Sequence, residues 1–423
     1  MRLDQLHIQN FRCYEDATFN FQPGFNLVVG VNGSGKTSLL QAVAVSFFEF
    51  GKLVRAEQPC LQTKDIRFVI DSVNGRTRLE RIDPVRIAAK GNIFKATEWK
   101  LAHAGETGPY LVDSNVDAQI QLVRTSINLA VNVDLPVLAF YRANRHWKSA
   151  NVSAEFAAQQ RVSRFDGYNN WFDAVTDLKD FEGWLIGRTL ERMQDLLDTK
   201  TAPVEFDDEL AWVNQAIQFA VPDAQGLRYD IRLQSLLINL SGNNTLPFYE
   251  LSDGQRGMIA LFADIARRMC ILNPHLGKNV LKDTSGIVVI DELDIHLHPA
   301  WQRSIVQALK AAFPNVQFIA ASHSPQIIGS LRPEEVMLLD RGDSSHPRVT
   351  YGLDSSRVLE EVMGVSEREP EIEMLLSELF STIEDNDLQK AKTQLQTLRT
   401  KAPGLPEFLR AEALLKRKEM IGR

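Results

Sequence analysis

Two periods of apolar spacing alternate along this chain, and the changeovers mark its parts. Leu3, Leu6 and Ile8 open a strand, Phe19 and Phe21 share one face of a second, and Pro23-Gly24 turns into Phe25-Asn26-Leu27-Val28-Val29. That run lacks regular alternation, the pattern of a strand covered on both faces. A glycine-rich loop follows at once, and Ser38 to Phe50 reads as a helix. Ile66 to Ile70 and Arg76 to Ile82 flank Asn74-Gly75, a pair suited to the positive φ angles of a primed hairpin turn. Further strands are predicted at Phe94 to Leu101 and Pro136 to Tyr141. From about Asn151 to Phe219 the spacing shifts to three and four residues, with Trp171, Phe172, Val175, Leu178, Phe181 and Leu185 on the repeating face, so a helical insertion is expected.

Strands resume at Tyr229 to Leu240 and lead into a helix over Asp253 to Leu272. Ile287 to Ile290, Val316 to Ser322 and Val336 to Asp340 are short apolar runs, the first two separated by a helix at Pro299 to Phe313, which is the rhythm of a parallel sheet. Beyond Asp354 helices dominate, with Leu388, Ala391, Leu395 and Leu398 on one face before Pro403-Gly404 stops the helix. Acids crowd Glu360 to Asp387 and bases Lys390 to Lys418, which suits either paired surface helices or a docking surface. There is no internal repeat and no low-complexity tract. The expected fold is α/β, a mixed sheet with an antiparallel β subdomain. Its expected parts are a first lobe over 1–150, a helical insertion over 151–222, a second lobe over 223–353 and a helical extension over 354–423.

Composition narrows the setting. A chain of 423 residues exceeds what one hydrophobic core usually fills. Its three cysteines, Cys13, Cys60 and Cys270, lie far apart and form no Cys-x-x-Cys pair, which predicts inert thiols in a reducing, cytoplasmic compartment. The first residues carry an acid and no long apolar run, against a secretory signal, and no segment approaches the roughly 20 apolar residues of a membrane span. A formal charge of −7 leaves nucleic-acid contact to a local basic patch. The candidate patch is Arg142, Arg145, Lys148, Arg161 and Arg164, interleaved with Tyr141, Trp147 and Phe165; a helical lid paired to acids is the other reading of it.

Three segments carry the chemistry. Gly30-Val31-Asn32-Gly33-Ser34-Gly35-Lys36-Thr37 fits the Walker A pattern, in which backbone N–H groups wrap phosphates, the lysine serves the terminal phosphates and the threonine serves Mg²⁺. Its strand–loop–helix setting makes the match specific. Residues 286–292 form a Walker B strand, an apolar run ending in Asp291 and Glu292: the first is expected to hold Mg²⁺ with Thr37, and the second to polarise the attacking water. Leu251-Ser252-Asp253-Gly254-Gln255 opens a helix whose positive end suits an anion. His323 follows the strand from Val316; alone it is compatible with a satisfied core histidine, but its place one strand beyond Walker B matches a switch that senses the γ-phosphate. His296 and His298 invite a metal reading without a third ligand, and their loop also suits a subunit contact. Gln62, after the first helix, is a candidate ligand to Mg²⁺ and water.

Leu6-His7-Ile8-Gln9-Asn10-Phe11-Arg12, followed by Gly-x-Asn-Gly-x-Gly-Lys-Thr, resembles the RecF and SMC branch of ATP-binding-cassette (ABC) ATPases. The resemblance covers most of the chain and implies a P-loop ABC-type ATPase head. It implies that Arg12 approaches the nucleotide and that Asn32, Gly33, Ser34, Gly35 and Ser38 help enclose it. It also implies that Ser252-Asp253-Gly254-Gln255 is the Ser-x-Gly-Gln signature opening a signature helix, and that Ser252, Gly254 and Gln255 serve ATP bound by the opposite chain of a head-to-tail dimer. Gln62 to Arg67, Leu135 to Tyr141 with Arg145, Asp291 to Pro299 and the helical tail further resemble PtuA-type ATPases of Septu antiphage systems and related retrons. Such a protein is expected to assemble beyond a dimer and to work with an HNH nuclease and, where retron-encoded, with a reverse transcriptase and its msDNA. A RecF-like repair ATPase, or the ATPase of a system with a TOPRIM effector, are the alternatives. Asp253 stands where transporters carry glycine. The chain lacks a long coiled coil and zinc-hook cysteines, and the segment after Asp354 has no His-Asn-His cluster and no room for a TOPRIM domain, so no nuclease of its own is expected.

Overall fold

The computed structural model describes residues 1–53, 61–73, 76–103, 110–144, 152, 157, 163–174, 179–199, 206–242, 244–340, 342–366 and 368–421. They form two compact units, Met1–Asp354 and Ser355–Arg423.

In the first unit the chain runs through β1 (Arg2–Phe11), β2 (Tyr14–Asn20), β3 (Phe25–Val29), α1 (Lys36–Ser46), β4 (Phe68–Val73), β5 (Arg76–Arg81), β6 (Val85–Ile93), β7 (Ala96–His103), β8 (Tyr110–Ser114), α2 (Val116–Asn128) and β9 (Val137–Tyr141). It continues through α3 (Lys179–Thr199), α4 (Glu209–Ala220), β10 (Ala224–Asp230), β11 (Ser235–Leu240), β12 (Asn244–Pro247), α5 (Asp253–Leu272), β13 (Gly286–Ile290), α6 (Pro299–Ala312), β14 (Val316–Ala321), β15 (Val336–Asp340) and β16 (Asp343–Ser345).

The runs with buried residues throughout become the central β3, β14 and β13 and the edge strand β9 of a six-stranded sheet of order β16-β15-β3-β14-β13-β9. Its pairs are parallel except β15–β16, where a short antiparallel strand closes one edge. A parallel strand needs cover on both faces, hence five consecutive buried residues in β3, β9 and β13. Strands from both sides of the helical segment therefore share one sheet. A second sheet, order β2-β1-β6-β7-β8, is antiparallel, and the alternating burial of β2 and β6 fits one covered face. Helix α1 packs against strands of both sheets and is buried on nearly every side, as its apolar sequence requires. β10, β11 and β12 form a third sheet, and β4 pairs with β5 antiparallel.

Several elements differ from expectation. The first helix begins at Lys36, two residues early, and gives way to a 3₁₀ turn over Phe48–Leu53. Tyr229 to Leu240 is a hairpin of β10 and β11, bent where Gln234 takes φ 48°. Strands β6 and β8 and helix α2 were not anticipated, although Val85, Ile87 and Ala89 alternate on the buried face of β6 and Val116, Ile120 and Val123 repeat at helical spacing in α2. Trp171–Asp173 is a 3₁₀ turn rather than α-helix, and Val175 and Leu178 fall outside the described residues, as do Cys60 and the Asn74-Gly75 turn.

The second unit holds α7 (Pro370–Glu384), α8 (Leu388–Lys401) and α9 (Glu407–Ile421) around Leu376, Leu379, Ile383, Ala391, Leu395, Leu398, Phe408, Ala411 and Leu415. Its charge asymmetry resolves partly into pairs within the unit: Lys392 with Glu419 at 2.6 Å, Lys401 with Glu371, and Arg399 with Glu412.

Candidate nucleotide-binding site

Three adjacent parallel strands end together. Val28 of β3 is in register with Ala321 of β14, and Ala320 with Ile290 of β13, so the loops after all three leave from one edge of the sheet. Carboxyl ends of parallel strands are where α/β sheets bind ligands, because the chain must leave the sheet there and expose polar backbone. From these three ends come the phosphate loop, Asp291-Glu292 and His323.

The phosphate loop depends on glycine at two points. Gly35 has φ 103°, and a Cβ there would lie 2.6 Å from the Tyr14 hydroxyl and 2.9 Å from Cys13 Sγ; Gly33 has φ 83°. Tyr14 in turn donates to the Gly35 carbonyl at 3.0 Å. Lys36 donates to the carbonyls of Gly30 and Val31 at 2.9 and 3.0 Å. Burial lowers its pKa, while Asp291, Glu292 and Asp294 oppose that shift. Ser34 Oγ is buried with no hydrogen-bond partner among the described residues. An orphan hydroxyl in a glycine cradle beside an ammonium fits phosphate oxygens.

Thr37 donates to Asp291 Oδ2 at 3.0 Å, joining the two groups that suit a shared Mg²⁺. Asp291 is 5% exposed, and its N–H donates to the Tyr141 carbonyl at 2.8 Å. Glu292 is exposed and takes φ 50°. A glutamate in the left-handed region is uncommon, and surrounding structure must hold it there. His323 is half-buried; burial and the neighbouring Lys36 charge lower its pKa against the pull of Asp294, Glu292 and Asp291, so its imidazole is neutral at pH 7.

Asp294 was missed in the sequence. It accepts from Ser322 Oγ at 2.6 Å and from the His323 N–H at 3.4 Å, tying the loop after β13 to the loop after β14. The Asp291-Glu292-Leu293-Asp294 run was the available signal. His298 Nδ1 accepts from the Ala300 N–H at 3.3 Å and caps α6.

The other sequence candidates lie at two further places. Arg12 reaches Asp65 through Nε and Nη2, both at 2.7 Å, and the Gln62 N–H donates to the same carboxylate at 2.9 Å. Asn32 is exposed on the phosphate loop and Ser38 half-buried in α1. Ser252 N-caps α5 and is joined to Gln255 in a capping box, with Ser252 Oγ to Gln255 Oε1 at 3.0 Å. Gly254 faces the loop after β13: a Cβ there would lie 2.4 Å from the His296 carbonyl.

Three members of the candidate basic patch are engaged within the fold. Arg164 donates to Leu272 O at 2.7 Å and Val133 O at 2.5 Å, capping the end of α5. Tyr141 is fully buried, and Arg142 lies over Phe172, 4.6 Å from its centroid, and pairs with Asp173 at 3.4 Å. Arg164 and Arg142 serve internal contacts and Tyr141 has no face for a base. Arg145, Trp147, Lys148 and Arg161 lie outside the described residues.

The sheet, the phosphate loop and the paired Thr37 and Asp291 form an α/β head with a P-loop nucleotide site. One family model described as an AAA domain matches residues 5–209, and another, described as AAA domain, putative AbiEii toxin, Type IV TA system, matches 136–329. More particularly, the chain is homologous to Septu and retron ATPases. It is 26% identical over 442 residues to the Retron Ec83 probable ATPase of Escherichia coli, covering 88% of this chain and 78% of that protein. It is 27% identical over 410 residues to Septu protein PtuA of Bacillus thuringiensis, covering 92% and 91%. The SMC head domain from Thermotoga maritima overlays with a TM-score of 0.43 at 14% identity, over 82% of this chain and 98% of that one. No helix among the described residues is long and apolar enough to cross a membrane.

Proposed function

We propose that this ATPase is the sensor and scaffold subunit of an antiphage defence complex, binding and hydrolysing ATP to control a separate HNH nuclease. Where it is retron-encoded, it would also hold a reverse transcriptase and its msDNA. The observation that carries the reading is the near full-length similarity to Septu and retron ATPases together with Thr37 bonded to Asp291 at the sheet edge.

In this reading Lys36 and the loop from Asn32 to Ser38 hold the phosphates. Bound Mg²⁺ would supply charge neutralisation at the terminal phosphates, with Thr37 and Asp291 as its protein ligands. Glu292 accepts the proton of the attacking water, and neutral His323 donates a hydrogen bond toward the terminal phosphate. Ser252, Gly254 and Gln255 complete the site of a second copy arranged head to tail, and Arg12 and Gln62 move from Asp65 toward nucleotide. The helices after Asp354 hold the effector or extend the assembly.

The test is protection of cells carrying this gene with its neighbouring reading frames. Protection is expected to vanish with Lys36→Ala and with truncation before Asp354, the truncated protein still binding ATP. Protection that persists in Lys36→Ala, or a soluble truncated protein that still recruits its partner and protects, would refute the scheme.

A further inference from the structure

The signature helix α5 is fastened by charges rather than by apolar contact alone. Asp264, three turns along it, is 2% exposed and accepts from Arg267 Nη2 and Arg268 Nε, each at 2.7 Å. Arg268 also donates to the carbonyls of Gly167 and Asn169 at 3.0 and 2.9 Å. A third residue, Tyr141, also donates to Asp264, its hydroxyl lying 2.8 Å from Oδ2. The same residue's carbonyl accepts the Asp291 N–H at 2.8 Å. One residue of β9 thus touches the signature helix with its side chain and the metal-site aspartate with its backbone.

We infer that Tyr141 is a positioning residue: through Asp264 it sets the register of α5, and so the place of Ser252, relative to Asp291. This rests on the proposed role of Ser252 in hydrolysis. Close apolar packing fixes a helix by shape, and a directional bond to a buried charge adds a demand for one register. Ser252 lies 12 residues before Asp264, roughly 18 Å along the axis, so a small rotation at the bond displaces the helix start. A second tie at the far end holds the same relation: Asn273 exchanges bonds with Leu135 at 2.7 and 2.8 Å, just ahead of β9. A buried ion cluster is weak evidence for stability, because apolar residues of similar volume often serve as well, so a role in positioning is the better account of this one. In a head-to-tail pair the device would link the two nucleotides, since Asp291 serves one and Ser252 the other.

The experiment is a double-mutant cycle on ATP hydrolysis with Tyr141→Phe and Ser252→Ala, nucleotide affinity being measured separately. Tyr141→Phe keeps the buried ring, and retained ATP affinity certifies its fold. It is expected to keep affinity within about twofold and lose about tenfold in kcat, with no further loss in the Ser252→Ala background. Losses that multiply would place Tyr141 outside the path to Ser252 and overturn the inference. A lowered melting temperature with wild-type turnover would overturn it in favour of a packing role. If Ser252→Ala alone hydrolyses normally, the signature reading fails and this inference falls with it.

Discussion

Replacing Gly254 by alanine sets two effects of known size against each other. Helix propensity favours alanine by about 0.5–1 kcal/mol within a helix. Against this, the new Cβ would stand 2.4 Å from the His296 carbonyl oxygen, where carbon–oxygen contacts normally settle at about 3.3–3.6 Å. Either α5 or the loop after β13 must yield by about 1 Å. The loop cannot give freely, because His296 is already held at φ 60°. Overpacking of this kind costs about 1–3 kcal/mol, so the net loss is about 0–2.5 kcal/mol, small against a stability of about 5–15 kcal/mol. The fold should survive while Glu292, four residues before His296, loses its placement, and a misplacement of about 1 Å can cost about 10²-fold in rate. Denaturant melting and single-turnover ATP hydrolysis measure the two quantities. Wild-type turnover would refute the argument, and a protein that fails to fold would refute the ranking of the energies.

Arg164→Met should lower stability by about 2–3 kcal/mol, the worth of charge-assisted bonds to the carbonyls of Leu272 and Val133, without changing the salt dependence of any nucleic-acid binding; a flattened salt slope would restore the basic-patch reading. Glu292→Gln should bind ATP normally and hydrolyse it about 10²- to 10⁴-fold more slowly, and normal turnover would remove this carboxylate from the mechanism. Burial holds the His323 pKa below its ordinary 6.5 in the folded chain, so just under pH 6.5 the unfolded chain binds more protons and stability is lost as pH falls, until the folded pKa is passed. His323→Gln should remove that portion of the acid destabilisation, which urea melts between pH 7 and 5 would register; an unchanged profile would show that burial is not disfavouring its proton.

The sequence by itself determined whatever is written in neighbouring residues. β3 and α5 span the expected residues, and β13, β14, β15, α6 and α8 fall within a residue or a few of expectation, because buried strands are short apolar runs and helices repeat their apolar side every three to four positions. The strand–loop–helix around Lys36 and the acids ending β13 were legible for the same reason. What the tertiary structure alone decided was which ends meet. The order β3-β14-β13-β9 pairs β3 with β14 and β9 with β13, strands more than a hundred residues apart in the chain, and no local spacing encodes either pairing. It brings Thr37 to Asp291 and gives Asp294 its work at Ser322. It also reassigned residues whose chemistry allowed two fates. Arg164 and Tyr141 read as charge and ring beside other charges and rings, but a guanidinium binds carbonyls as readily as phosphates, and only the end of α5 arriving beside Arg164 decided which it meets.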